Sequence, residues 1–185
     1  MANIRKVIGA QVLKKRRKRF SRQVVVHNFE TAHTAVILFD TSEDQAGTVI
    51  RDFVKFLKEQ GISPKAYGMV MQKEIPQEML FWKEYSFITR SDLNWYKSPK
   101  GNVCDGFFAV NPDILFDFTR EQSLEIRFLV ELSNAAFKVG CFTEAENDYD
   151  LMINLGEQYD MAFLSEQFKH YISILNPVNE SSNGR

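Results

Sequence analysis

Two short apolar runs with a strongly amphipathic stretch between them constrain this chain more than any other feature. Residues 34–39 (Thr-Ala-Val-Ile-Leu-Phe) and 66–72 (Ala-Tyr-Gly-Met-Val-Met-Gln) are apolar without alternation, the pattern of strands covered on both faces. Between them, residues 43–60 place Ala46, Val49, Ile50, Phe53, Phe56 and Leu57 at helical spacing, with Arg51, Asp52, Lys55, Lys58 and Glu59 on the opposite side. Gly61 stands where a left-handed helix end belongs, and Pro64 follows shortly. Strand, helix and strand in that order need a crossover, and so form a parallel pair in a βαβ unit.

The same alternation continues. Residues 85–89, 113–117, 137–141 and 150–153 read as strands, and 120–133 and 158–175 as helices. The last helix turns Met161, Leu164, Phe168, Ile172 and Leu175 inward. Residues 90–102, with Asn94, Pro99, Gly101 and Asn102, read as a loop, and 176–185 as a polar, disordered tail. The predicted fold class is α/β, a three-layer sandwich with a mostly parallel, Rossmann-like sheet, filling one domain over residues 23–175.

A formal net charge of −1 hides a polarised chain. Residues 1–22 hold Arg5, Lys6, Lys14, Lys15, Arg16, Arg17, Lys18, Arg19 and Arg22 and no acid, leaving 14 basic against 24 acidic side chains in the remainder. Ile4, Val7, Ile8 and Val12 share a helical face, which predicts an N-terminal basic helix over residues 3–22. Its first half can pack on something apolar. Its second half, Lys14 to Arg22, is expected to face solvent or an anionic partner.

No run approaches the roughly 18 apolar residues of a membrane span. Val24–Val26 is too short to be the apolar part of a signal peptide. The arm is acid-free like a mitochondrial transit peptide, but poor in Ser and with its charge in one block. A cytoplasmic location is therefore expected. Cys104 and Cys141 form no CxxC, which suits a reducing compartment and small buried hydrophobes. His27, His33 and His170 lack metal-ligand spacing, and no GxGxxG, P-loop or nucleophile elbow is present. No metal is expected, and no cofactor is indicated.

One pattern repeats. Residues 38–45 (Leu-Phe-Asp-Thr-Ser-Glu-Asp-Gln) and 115–122 (Leu-Phe-Asp-Phe-Thr-Arg-Glu-Gln) both read Leu-Phe-Asp-x-[Ser/Thr]-x-x-Gln at a strand-to-helix junction. Ser42 with Gln45, and Thr119 with Gln122, have capping-box spacing. Ligands of open parallel sheets bind outside the carboxyl ends of the strands, which makes Asp40, Ser42, Asp117 and Thr119 candidate ligand-binding residues. The opposing expectation is that each aspartate only stabilises its own turn. Trp95, beside Tyr96 and Lys97 in a polar loop, is a further candidate for stacking, or a lid on the core.

Val36-Ile-Leu-Phe-Asp40 begins like the aspartate-nucleophile motif of haloacid-dehalogenase-type phosphatases, but Ser42 stands where that chemistry needs a second Asp. Residues 113–117 and 132–140 resemble a stretch of heptosyltransferase-type glycosyltransferases, which implies a βαβ unit and no activity. Ser91–Lys97, Leu132–Gly140 and Tyr149–Asn154, behind the basic N-terminus, resemble a domain-of-unknown-function family of small Bacteroidetes proteins. That resemblance implies a small cytoplasmic bacterial protein and carries over no catalytic residue.

The expected function is that of a non-catalytic binding or accessory module. Its arm contacts RNA or the ribosome or an anionic membrane surface, or else folds against its own acidic body or that of a second copy in a homo-oligomer. The alternative is an enzyme acting on a nucleotide or sugar phosphate at the strand ends.

Overall fold

In the computed structural model, which describes residues 2–71, 77, 84–156 and 159–176, the two apolar runs become parallel strands β1 (Thr34–Asp40) and β2 (Ser63–Val70). Helix α2 (Ala46–Glu59) connects them. It ends as its glycine foretells. Gly61 has φ 79°, its N–H donates to the Lys58 carbonyl, and the Ile62 N–H donates to that of Leu57, a Schellman closure.

Strand β3 (Tyr85–Thr89) is followed by a 3₁₀ turn (Arg90–Asp92), α3 (Asn102–Phe108) and β4 (Ile114–Asp117). Then come α4 (Leu124–Glu131), β5 (Phe137–Cys141), β6 (Leu151–Ile153) and α5 (Met161–Ile174). All six strands pair in parallel in the order β3-β2-β1-β4-β5-β6, the doubly wound order of dinucleotide-binding folds.

Period-two alternation sorts the core into two halves. Ala35, Ile37 and Phe39 of β1 face α2 and α5, while Val36 and Leu38 face α3 and α4. Five consecutive β1 residues, 35–39, are buried, which is why the run shows no alternation of polarity. The first half is aromatic. Phe53 sits edge-on to Phe116 and Phe118 with centroids 5.0 Å apart, and Phe118 edge-on to Phe168 at 4.8 Å. Each such ring contributes about 1.5–3 kcal/mol by burial.

The structure corrects several readings. Helix α2 begins at Ala46 and α4 at Leu124, each later than predicted, because neither capping box forms. Gln45 instead takes a left-handed φ of 57°, and Ser123 caps α4 by accepting from the Ile126 N–H. Helix α3, rich in poor helix formers, escaped the pattern; it buries Cys104 and Phe107, the latter 5.0 Å from the Tyr67 ring. Both cysteines are free, and burial pushes their thiols to about 11 for Cys104 and about 12 for Cys141. The polar tail from residue 177 on, and Gln72, lie outside the described residues.

The N-terminal helix, α1 (Ala2–Arg17), stops short of residue 22. It packs on α4, but through Gly9 and Leu13. Ile8 and Val12 are half-buried and Ile4 and Val7 exposed, so the predicted apolar face is rotated away from the body. The reason is close approach: a Cβ at position 9 would strike the Tyr96 carbonyl oxygen and the Leu124 side chain. No described helix is long and apolar enough to cross a membrane.

Candidate functional site

In this strand order the chain winds outward in opposite directions from β1 and β4, which opens a crevice beyond their carboxyl ends. A cavity of about 360 Å³ lies there. Asp40, Ser42 and Glu43 at and after the end of β1, Met69 and Met71 at the end of β2, and Thr119, Arg120, Glu121 and Ser123 after β4 surround it, with Glu125 and Ile126 of α4. Three of the sequence-predicted residues, Asp40, Ser42 and Thr119, thus share one cavity.

Each side chain there has a traceable role. One Asp40 oxygen accepts from the Ser42 N–H at 2.8 Å and the Ser42 hydroxyl at 2.6 Å; the other takes no hydrogen bond among the described residues. Glu125 is held by Lys97 at 2.7 Å. Burial raises the Glu43 pKa, and Asp40 and Glu121 raise it further against Arg120. Arg120 is the single cation of the lining among the described residues, against the carboxylates of Asp40, Glu43, Glu121 and Glu125. Thr119 is 2% exposed and its hydroxyl meets hydrogen-bond geometry with no group.

Asp117 does not line the cavity. It is fully buried, accepting from the Thr119 N–H at 2.8 Å, the Gln122 amide at 3.3 Å and the Tyr149 hydroxyl. Its pKa is raised because burial outweighs the Tyr149 and Thr119 hydrogen bonds; the nearby Thr119 hydroxyl dipole also favours the charge. Tyr149 reaches it across β5 over Gly140, where any Cβ would meet the Tyr149 ring. Sequence reasoning missed Tyr149, whose partner lies 32 residues away.

Trp95 is 57% exposed, edge-on to Tyr96 at 5.3 Å, and outside the cavity lining. It is neither a lid on the core nor a wall of the crevice. Its loop serves as the bed of α1, through the Tyr96 carbonyl under Gly9 and through Ser98, which accepts from Arg16 at 3.3 Å.

The arm divides into two sets of cations. Arg17 contacts Glu131, Glu146 and Asp148 at 3.6, 3.0 and 3.5 Å. Arg22, with only 8% of its side chain exposed, holds both Asp150 oxygens at 2.7 and 2.9 Å, the Ala135 and Ala136 carbonyls, and Asp148. Beneath them Lys138 is fully buried, 2.6 Å from Asp148 and 5.8 Å from the Phe20 ring centroid; burial lowers its pKa to about 8 while Asp148 opposes the shift. A lysine inside the apolar run Phe137–Gly140 was the available signal for this network. The Lys14, Lys15, Lys18 and Arg19 side chains remain exposed, without a hydrogen-bond or ion-pair partner among the described residues. The expectation that the whole second half faces outward therefore fails for Arg17 and Arg22, which acidic side chains capture, and for Arg16, which Ser98 holds against the Phe128 ring.

Fold and crevice define a doubly wound α/β domain with an acid-lined cavity at its topological switch point. The chain belongs to a family of unknown function (DUF6913), whose family model matches residues 5–175. No curated protein matches the chain.

Proposed function

We propose that this protein is a non-catalytic binding module that engages RNA through the outward cations of α1. The observation that carries the reading is the division of the arm. Leu13, Arg17 and Arg22 fix the segment to the body, and Lys14, Lys15, Lys18 and Arg19 stay free on the exposed side. Cations already held in place lose less freedom on binding a phosphate chain than cations on a loose tail. A membrane surface is the weaker partner, because the exposed face offers Ile4 and Val7 and then Gln11, Lys14 and Lys15, not a continuous apolar stripe. The reading implies a cytoplasmic protein.

The charge of the crevice opposes an enzyme for nucleotide or sugar phosphates. Among the described residues, Asp40, Glu43 and Glu121 surround a single arginine.

The test is binding to total RNA against salt, for the natural chain and for Lys14→Glu/Lys15→Glu/Lys18→Glu/Arg19→Glu. Deleting residues 1–22 is the poorer experiment, since it also uncovers α4 and strips Asp148 and Asp150 of their arginines. Four phosphate contacts predict a log–log salt slope of about −3 for a single strand, lost in the variant. Equal binding by both proteins, or preference for phosphatidylserine vesicles over RNA, overturns the proposal.

A further inference from the structure

We propose that the crevice at the carboxyl ends of β1 and β4 binds a small organic cation. The ligand carries an ammonium or amidinium group on an apolar stem, with Asp40 and Glu43 as counter-charges and the Thr119 hydroxyl accepting an N–H. This goes beyond the RNA reading and stands independently of it.

Three observations converge. The first is the position: the cavity lies at the switch point, where open parallel sheets present ligands, and its volume of about 360 Å³ admits a small molecule. The second is charge. Asp40 keeps one carboxylate oxygen unbonded, and Glu43 and Glu121 have no ion-pair partner among the described residues, although Glu43 already resists ionising beside Asp40. A cation placed between them relieves that repulsion; a phosphate adds to it. No three His, Cys, Asp or Glu side chains among the described residues converge as metal ligands, which favours an organic cation over a metal ion.

The third observation is the Thr119 hydroxyl. It is sealed from solvent in the cavity wall and meets hydrogen-bond geometry with no group, although its dipole favours the nearby Asp117 charge; a buried polar atom so placed carries a cost of up to about 1–3 kcal/mol. A ligand N–H would satisfy it. Met69, Met71 and Ile126 supply the apolar wall for the stem, and methionine adapts readily to its shape.

The probe is agmatine, which joins an ammonium and a guanidinium through a butyl stem, with adenosine monophosphate as the anionic comparator. Binding is followed by calorimetry and by amide NMR shifts on the full chain. Agmatine should shift the amides of residues 40–43 and 119–126, and adenosine monophosphate should not. Glu43→Gln should weaken agmatine roughly tenfold, the effect of losing one charge-assisted hydrogen bond.

Thr119→Val separates a ligand role from a structural one. Exchanging the hydroxyl for a methyl gives up only its dipole toward Asp117 and should leave Tm nearly unchanged while weakening agmatine roughly fivefold. A Tm lowered by more than about 4 °C in Thr119→Val, crevice amides unmoved by millimolar agmatine, or tighter binding of adenosine monophosphate would each overturn the proposal. The quadruple α1 variant should bind agmatine like the natural chain, so this test and the RNA test fail separately.

Discussion

The junctions at Leu38–Gln45 and Leu115–Gln122 share one sequence pattern and part company in space. In both, an aspartate oxygen accepts the N–H two residues on at 2.8 Å, so the local turn is the same. Beyond it, the Asp40 carboxylate is half-exposed and, among the described residues, bonded only to Ser42, while Asp117 is sealed beneath Tyr149 and Gln122. The difference comes from the neighbours. Strand β4 lies between β1 and β5, and the chain after β5 returns over Gly140 to cover its end. At the end of β1 the chain departs both ways, and the gap remains as the crevice. A repeated motif thus specifies a turn, and topology decides whether that turn becomes a core anchor or the rim of a site.

The largest effect is expected at the anchor. Asp117→Ala deprives three donors of their acceptor: the Thr119 N–H, the Gln122 amide and the Tyr149 hydroxyl. A buried donor left unpaired costs about 1–3 kcal/mol, so the total should reach about 3 kcal/mol or more in urea denaturation. A loss under about 1 kcal/mol would erase the distinction between the two junctions.

Next in size are changes that leave Asp117 and disturb its cover. Gly140→Ala drives a methyl into the Tyr149 ring and should cost about 2 kcal/mol. Tyr149→Phe deletes one hydroxyl and should cost about 1 kcal/mol. Both should also appear in the pH dependence. Burial raises the Asp117 pKa, so the folded state takes up its proton at a higher pH than the unfolded chain does. That contribution is complete below the ordinary carboxylate pKa and is lost as pH rises through the raised value. Tyr149→Phe removes the strongest opposing hydrogen bond and should move the upper edge of the window higher. Asp117→Asn should abolish the window, whereas Asp40→Asn should preserve it.

The contrast also marks where the sequence was legible. Strands buried on both faces, such as Ala35–Phe39, announce themselves by unbroken apolar runs, and the Gly61 helix end by its residue type. The echo of the two junctions, joined to the rule for strand ends, located Asp40, Ser42 and Thr119 at the cavity. Glu43, Arg120 and Glu121 carry no periodicity, and only folding brings them to the cavity. The capping boxes misled because the Ser42 hydroxyl turns back to donate to Asp40, and Gln45, left-handed, takes the N-cap position itself. The face of α1 was misread because its contact runs through a glycine and long-range arginine pairs, which hydrophobic spacing cannot register.

The smallest effect belongs to the rim. Asp40→Ala removes the acceptor for the Ser42 N–H and hydroxyl, but Ser42 is exposed and water replaces both bonds. It also removes a negative charge that opposes ionisation of Glu43, which offsets part of what is lost. Stability should therefore change by no more than about 0.5 kcal/mol, the usual range for an exposed site. Strands β1 and β4 are paired neighbours, with Leu38 opposite Asp117, so the double variant Asp40→Ala/Asp117→Ala asks whether the junctions communicate. If topology has made one an anchor and the other a rim, their effects should add within about 0.5 kcal/mol. A coupling above about 1 kcal/mol would instead make them a single unit, with the buried carboxylate helping to shape the crevice it does not line.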